Sequence, residues 1–135
     1  MKLAIVGSAT LAGSKLAADV IFKAMKQFEP STVVVLPGNV TFNTLVRAQA
    51  ARLSLPVEEM QPPRSTWLGK CLQSVRKRIV RGVYAKVVAN EVEMVLAFKA
   101  ADRPGVSFDQ LVKEADEAVV FTIRKRGNEE SLILN

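Results

Sequence analysis

The chain has 135 residues, 49% of them apolar and 24% charged, which suits the core of one domain and is too apolar for a disordered segment. It carries 19 Lys and Arg against 13 Asp and Glu, a net charge of +6, with one cysteine and no histidine. The missing histidine excludes Ser-His-Asp and Cys-His catalysis and the usual zinc sites, and the lone Cys71 excludes an internal disulfide.

In chain order, Leu3-Ala4-Ile5-Val6 is continuously apolar, as a strand covered on both faces would be. Gly7-Ser8-Ala9-Thr10 reads as a turn. A helix is expected from about Ser14 to Phe28, where Leu16, Val20, Ala24 and Phe28 step by four beside Ala17, Ile21 and Met25, and Pro30 ends it. Thr32 to Leu36 is a second apolar strand, broken by Pro37-Gly38-Asn39. The next helix runs from about Thr41 to Leu53, with Phe42, Leu45, Val46, Ala50 and Leu53 on one side. A short third strand opens at Leu55-Pro56-Val57 and ends near Met60, followed by the stiff link Gln61-Pro62-Pro63-Arg64.

Ser65 or Thr66 is suited to cap a third helix through about Val80, whose stripe of Leu68, Cys71, Leu72, Val75 and Ile79 makes Cys71 a small core residue. A short helix follows at about 83–90. Met94 to Phe98 is the fourth strand, and Lys99 to Gly105 reads as a polar loop. Ser107 with Gln110 forms a capping box for a helix carrying Phe108, Leu111, Val112 and Ala115. Val119 to Ile123 is the fifth strand, Arg124 to Glu130 a charged turn, and Leu132-Ile133-Leu134 an antiparallel edge strand.

Apolar strands alternating with amphipathic helices predict one three-layer α/β domain over residues 1–135. It would be Rossmann-like, with a mostly parallel sheet of about five strands, a possible antiparallel C-terminal edge strand and right-handed crossovers. No apolar run approaches the roughly 20 residues needed to span a bilayer, so no membrane partner is expected. The opening Met1 to Gly7 is too short in its apolar part for a signal peptide. The single cysteine fits a reducing, cytoplasmic location.

Ligands of open parallel sheets bind beyond the carboxyl ends of the strands. Three such ends carry unusual turns: Gly7 to Thr10, Pro37 to Thr41, and Lys99 to Ser107. The first two enter helices, whose first amides are unpaired and carry about half a positive charge. Gly7, Ser8, Thr10, Gly38, Asn39 and Thr41 therefore suit an anion such as a phosphate, although such glycines also serve plain strand-to-helix turns. Neither a G-x-G-x-x-G nor a G-x-x-x-x-G-K-[ST] signature is present. Glu58-Glu59 and Glu129-Glu130 read as solvated charge. No metal site and no cofactor is expected. For an enzyme without histidine, Asp102 or Glu93 would be the base or nucleophile, although Glu93 opens an apolar strand and reads as structural.

The positive charge is concentrated. From Met60 to Asn90 there is no Asp or Glu, yet Arg64, Lys70, Arg76, Lys77, Arg78, Arg81 and Lys86 fall there. Arg76, Lys77, Arg78 and Arg81 are candidate phosphate contacts for a nucleic acid, with Trp67 and Tyr84 available for stacking; a solvated helix face is the plain alternative.

Taken together, Ile5-Val6-Gly7-Ser8, Val34 to Phe42, Leu55-Pro56-Val57 and Glu93 to Phe98 make the chain resemble the SLOG-type Rossmann-like superfamily, in particular its short stand-alone members. The resemblance covers nearly the whole chain in element order. It implies binding of a nucleotide or nucleotide-derived ligand, through contacts at Gly7, Ser8, Pro37, Gly38, Asn39 and the Lys99–Ser107 loop. Members of the superfamily sense ligands, bind single-stranded DNA, or hydrolyse nucleotides as phosphoribohydrolases do. The enzymes carry Pro-Gly-Gly-x-Gly-Thr-x-x-Glu; Pro37-Gly38-Asn39 matches its start, and no acid follows at the expected place. The function expected is thus binding of a nucleotide-like small molecule for sensing, carriage or sequestration. Binding of nucleic acid through residues 64–86 and nucleotide hydrolysis are the alternatives. The resemblance and the apolar composition also imply a homo-oligomer.

Overall fold

The computed structural model describes residues 1–36, 40–60, 89, 91–101 and 109–134. Six strands form one sheet: β1 (Lys2–Gly7), β2 (Thr32–Val35), β3 (Val57–Glu59), β4 (Met94–Ala100), β5 (Ala118–Arg126) and β6 (Glu129–Leu134). Their order is β3-β2-β1-β4-β5-β6, parallel throughout except for the antiparallel β5–β6 pair. The helices are α1 (Lys15–Phe28), α2 (Val40–Arg52) and α3 (Asp109–Glu114), with a 3-10 turn at Ala9–Leu11. This is the Rossmann-like α/β fold expected.

Strand alternation divides the core between two faces. Leu3, Ile5, Val33, Val35, Leu96, Phe98 and Ile123 meet Ile21, Met25, Phe42 and Val46 of α1 and α2 on one face. Ala4, Val6, Val34, Val95 and Ala97 turn to the other, with Val92 and Leu111 of α3. Both faces are covered, which is why the central strands read as unbroken apolar runs.

Local chemistry fixes the ends of α1. The Ser14 side chain accepts a hydrogen bond from the Ala17 amide at 3.1 Å. At the other end Glu29 takes a left-handed conformation (φ 48°) and its N–H donates to the Met25 carbonyl, and Pro30 stops any continuation. The Arg52 guanidinium lies 4.0 Å above the Phe22 ring and helps to join α2 to α1.

Two parts of the chain differ from expectation. β4 runs two residues further, so Lys99 and Ala100 belong to the strand and not to a loop. The charged turn over 124–130 is a hairpin: Arg124 to Arg126 continue β5, Glu129 and Glu130 begin β6, and only Gly127-Asn128 turn. Positive φ at Gly127 and not at Asn128 is the pattern of a type II′ turn, whose twist matches the flanking strands. The helix expected over 66–80 with Cys71, and most of that over 83–90, lie outside the described residues.

Candidate functional site

The chain leaves β1 toward β2 and β3 on one side, and β4 and β5 lie on the other. The order therefore reverses between β1 and β4, where an open α/β sheet leaves a crevice at its carboxyl ends. A cleft of about 220 Å³ lies there. Thr10, Leu11, Gly13 and Ser14 line it from the segment joining β1 to α1. Ala100 and Ala101 come from the end of β4, and Ile123, Arg124, Lys125 and Glu130 from the β5–β6 hairpin.

The start of α1 forms one wall. Ser14 is buried, and its Oγ is used twice: it accepts from the Ala17 amide and donates to Glu130 Oε2 at 2.5 Å. A carboxylate thus sits where the helix dipole is positive. Glu130 is not merely solvated charge; the β5–β6 register, which sets Lys125 opposite Glu130, brings it to α1. Two cationic residues, two hydroxyls and one carboxylate line the cleft. That set can hold an anion through charge and hydroxyl donors.

Of the residues singled out from sequence, the structure brings Ser8 and Thr10 together, with Oγ and Oγ1 2.9 Å apart. Thr10 lines the cleft. The Ser8 amide donates to the Phe98 carbonyl at 3.0 Å, so it serves β4. Gly7 is buried, and a Cβ built on it would lie 2.3 Å from Phe42 Cζ. Gly7 is a socket for α2. Phe42 continues into an aromatic row, 6.1 Å from Phe98, which stacks on Phe121 at 4.9 Å. Thr41 is exposed in the first turn of α2. Lys99 is half-buried and in register with Thr122, on the face of Val95 and Ala97. Pro37, Gly38, Asn39, Ser107, Asp102 and the basic group Arg76, Lys77, Arg78 and Arg81 lie outside the described residues.

Glu93 stands before β4 at the amino ends of the strands, away from the cleft, and its carboxylate accepts from the Lys2 amide. Glu58 and Glu59 pair with Lys2 at 3.6 Å and Arg47 at 3.3 Å at the β3 edge. Among the described residues, no group of acidic or cysteine side chains could hold a metal ion, and no helix is long and apolar enough to cross a membrane.

Sequence reasoning missed the cleft roles of Ser14, Arg124, Lys125 and Glu130. Ser14 carried a signal, a hydroxyl residue at the start of an amphipathic helix. The other three depend on the hairpin register, which the charged run concealed. No family model, no curated protein and no solved structure matches the chain.

Proposed function

We propose that the protein binds a nucleotide or nucleotide-derived ligand at the carboxyl ends of β1 and β4, in a sensing, carrying or sequestering role. The observation that carries this reading is the reversal of strand order between β1 and β4, with a cleft beyond both strands and the start of α1 as its wall. Arg124 and Lys125 supply positive charge for phosphate oxygens, and Thr10 supplies a hydroxyl. The Glu130 carboxylate already holds Ser14, so an entering anion must displace it or lie beside it between the cations. The resemblance to SLOG-type proteins supports the same reading.

Calorimetry and thermal melting against mono-, di- and cyclic nucleotides test this. A ligand at a hundredfold its Kd adds about 2.7 kcal/mol of stability, a clear rise in Tm. Lys125→Ala should weaken binding and flatten its salt dependence. If no nucleotide in the panel binds or shifts the melt, the reading falls.

The second reading, a nucleic-acid binder, rests on the absence of any acid from Met60 to Asn90. Its affinity for a single-stranded oligonucleotide should fall steeply with salt, and replacing Arg76, Lys77, Arg78 and Arg81 by Gln should abolish the gel shift. A shift indifferent to those four charges ends it.

A further inference from the structure

The sheet ends in two edges that differ in length and in how far their charge extends. An uncovered edge offers unpaired N–H and C=O groups to any strand that approaches, and edges are usually blunted by shortness, charge, proline or a bulge. The β3 edge is blunted: it has three residues, two of them glutamates held in ion pairs by Lys2 and Arg47. The β6 edge also has two glutamates, Glu129 and Glu130, but its last four residues, Ser131 to Leu134, carry no charge. It is six residues long, Glu-Glu-Ser-Leu-Ile-Leu, without proline or lysine, and its register with β5 is unbroken from Glu129 to Leu134. Leu132 is 40% exposed and Ile133 36%, one on each face of the sheet.

The hairpin geometry fixes which backbone groups are free of β5. In a two-residue hairpin the closing pair, here Arg126 and Glu129, exchanges both hydrogen bonds, and bonding alternates along the strand from there. Residues 129, 131 and 133 therefore bond inward to β5, and residues 130, 132 and 134 face outward. The charges have a matching asymmetry. Glu129 and Glu130 stand opposite Arg126 and Lys125 across the hairpin, so the acids are balanced within the chain and Ser131 to Leu134 is neutral.

We infer that β6 is a dimerisation edge, and that its partner is β6 of a second copy, added antiparallel across a two-fold axis to give one twelve-stranded sheet. A two-fold axis normal to the sheet keeps side chains on their own face, so residues of the same parity must meet. The register that uses all three outward residues sets Leu132 opposite its own copy and Glu130 opposite position 134. Among the three outward residues no like charges then face each other, and Glu130 meets an uncharged position. The same register buries the exposed Leu132 at the axis. A partner with an acidic strand would meet Glu129 and Glu130, whereas self-pairing sets Glu130 opposite an uncharged position. This inference does not depend on the ligand.

Sedimentation equilibrium combined with residue-resolved amide exchange tests it on the intact chain. The expected result is a dimer in the micromolar range, with the Leu132 amide protected when concentrated and exposed on dilution, while the Ile133 amide, bonded to β5, stays protected throughout. Leu132→Lys, which places two ammonium groups at the axis, should give a folded monomer, and Glu58→Gln at the β3 edge should leave the dimer intact. A monomer at every concentration, a dimer in which the Leu132 amide exchanges freely, or a Leu132→Lys protein that still dimerises overturns the inference. If Leu132→Lys does not fold, amide exchange on the unaltered chain decides alone.

Discussion

The Phe42 ring occupies the space that a side chain on Gly7 would need: three ring carbons lie 2.3, 2.5 and 2.8 Å from the position of an added Cβ. Both residues are buried, and Gly7, Phe98 and Phe121 stand side by side in the sheet under that ring. Gly7→Ala should therefore destabilise the fold by about 1–3 kcal/mol through overpacking, read as a lower urea midpoint. Phe42→Leu in the same chain should recover part of the loss, because the smaller side chain makes room. A double-mutant cycle with no coupling between the two sites would refute this account.

Ser14 joins two parts of the chain, capping α1 and holding Glu130. Ser14→Ala should cost about 1 kcal/mol for the cap, more where the Glu130 carboxylate loses its partner. Aspartate is ordinarily a good cap, but here it would face Glu130. Ser14→Asp should thus be less stable than Ser14→Asn, and the gap should close when Glu130 is also changed to Gln. Thermal melts of the four proteins give the comparison.

Glu130 is the carboxylate among the residues that line the cleft. Removing a charge beside a helix terminus is worth about 0.3–1 kcal/mol, so Glu130→Gln should raise affinity for an anionic nucleotide about two- to fivefold by calorimetry. The same change should lower the Tm of the free protein, since the charge complements α1. A variant that binds nucleotide more weakly would place the ligand elsewhere.

Asn43 is a buried polar residue in the apolar face of α2, and its Nδ2 donates to the Leu36 carbonyl at 2.6 Å. It ties the first turn of α2 to the chain leaving β2. Asn43→Ala leaves that carbonyl without its donor and should cost about 1–3 kcal/mol. Asn43→Asp should cost more at neutral pH, because it sets a carboxylate against the carbonyl oxygen. Denaturant unfolding of both variants checks the order.

The limits of the sequence reading can be traced to particular residues. Gly7 was legible as a glycine at a strand end, which suits either a phosphate or a tight turn; its contact with Phe42 joins positions 35 residues apart and leaves no local mark. Lys99 looked like a loop residue because a lysine followed an apolar run, yet the pairing of β4 with β5 carries the strand on to Ala100. The run Arg124 to Glu130 looked like a turn because every side chain but two is charged. At a sheet edge such residues lie on an exposed strand as readily as in a loop.

By itself the sequence determined the type and order of the described elements, since burial on both faces demands continuous apolar strands and burial on one side demands a helical stripe. Those are properties of a segment and its immediate surroundings. The tertiary structure alone decided the strand order, the reversal between β1 and β4, the union of Ser14 with Glu130 and the filling of Gly7 by Phe42. Each of these joins groups distant in the chain, and a contact made across the fold has no periodicity along it.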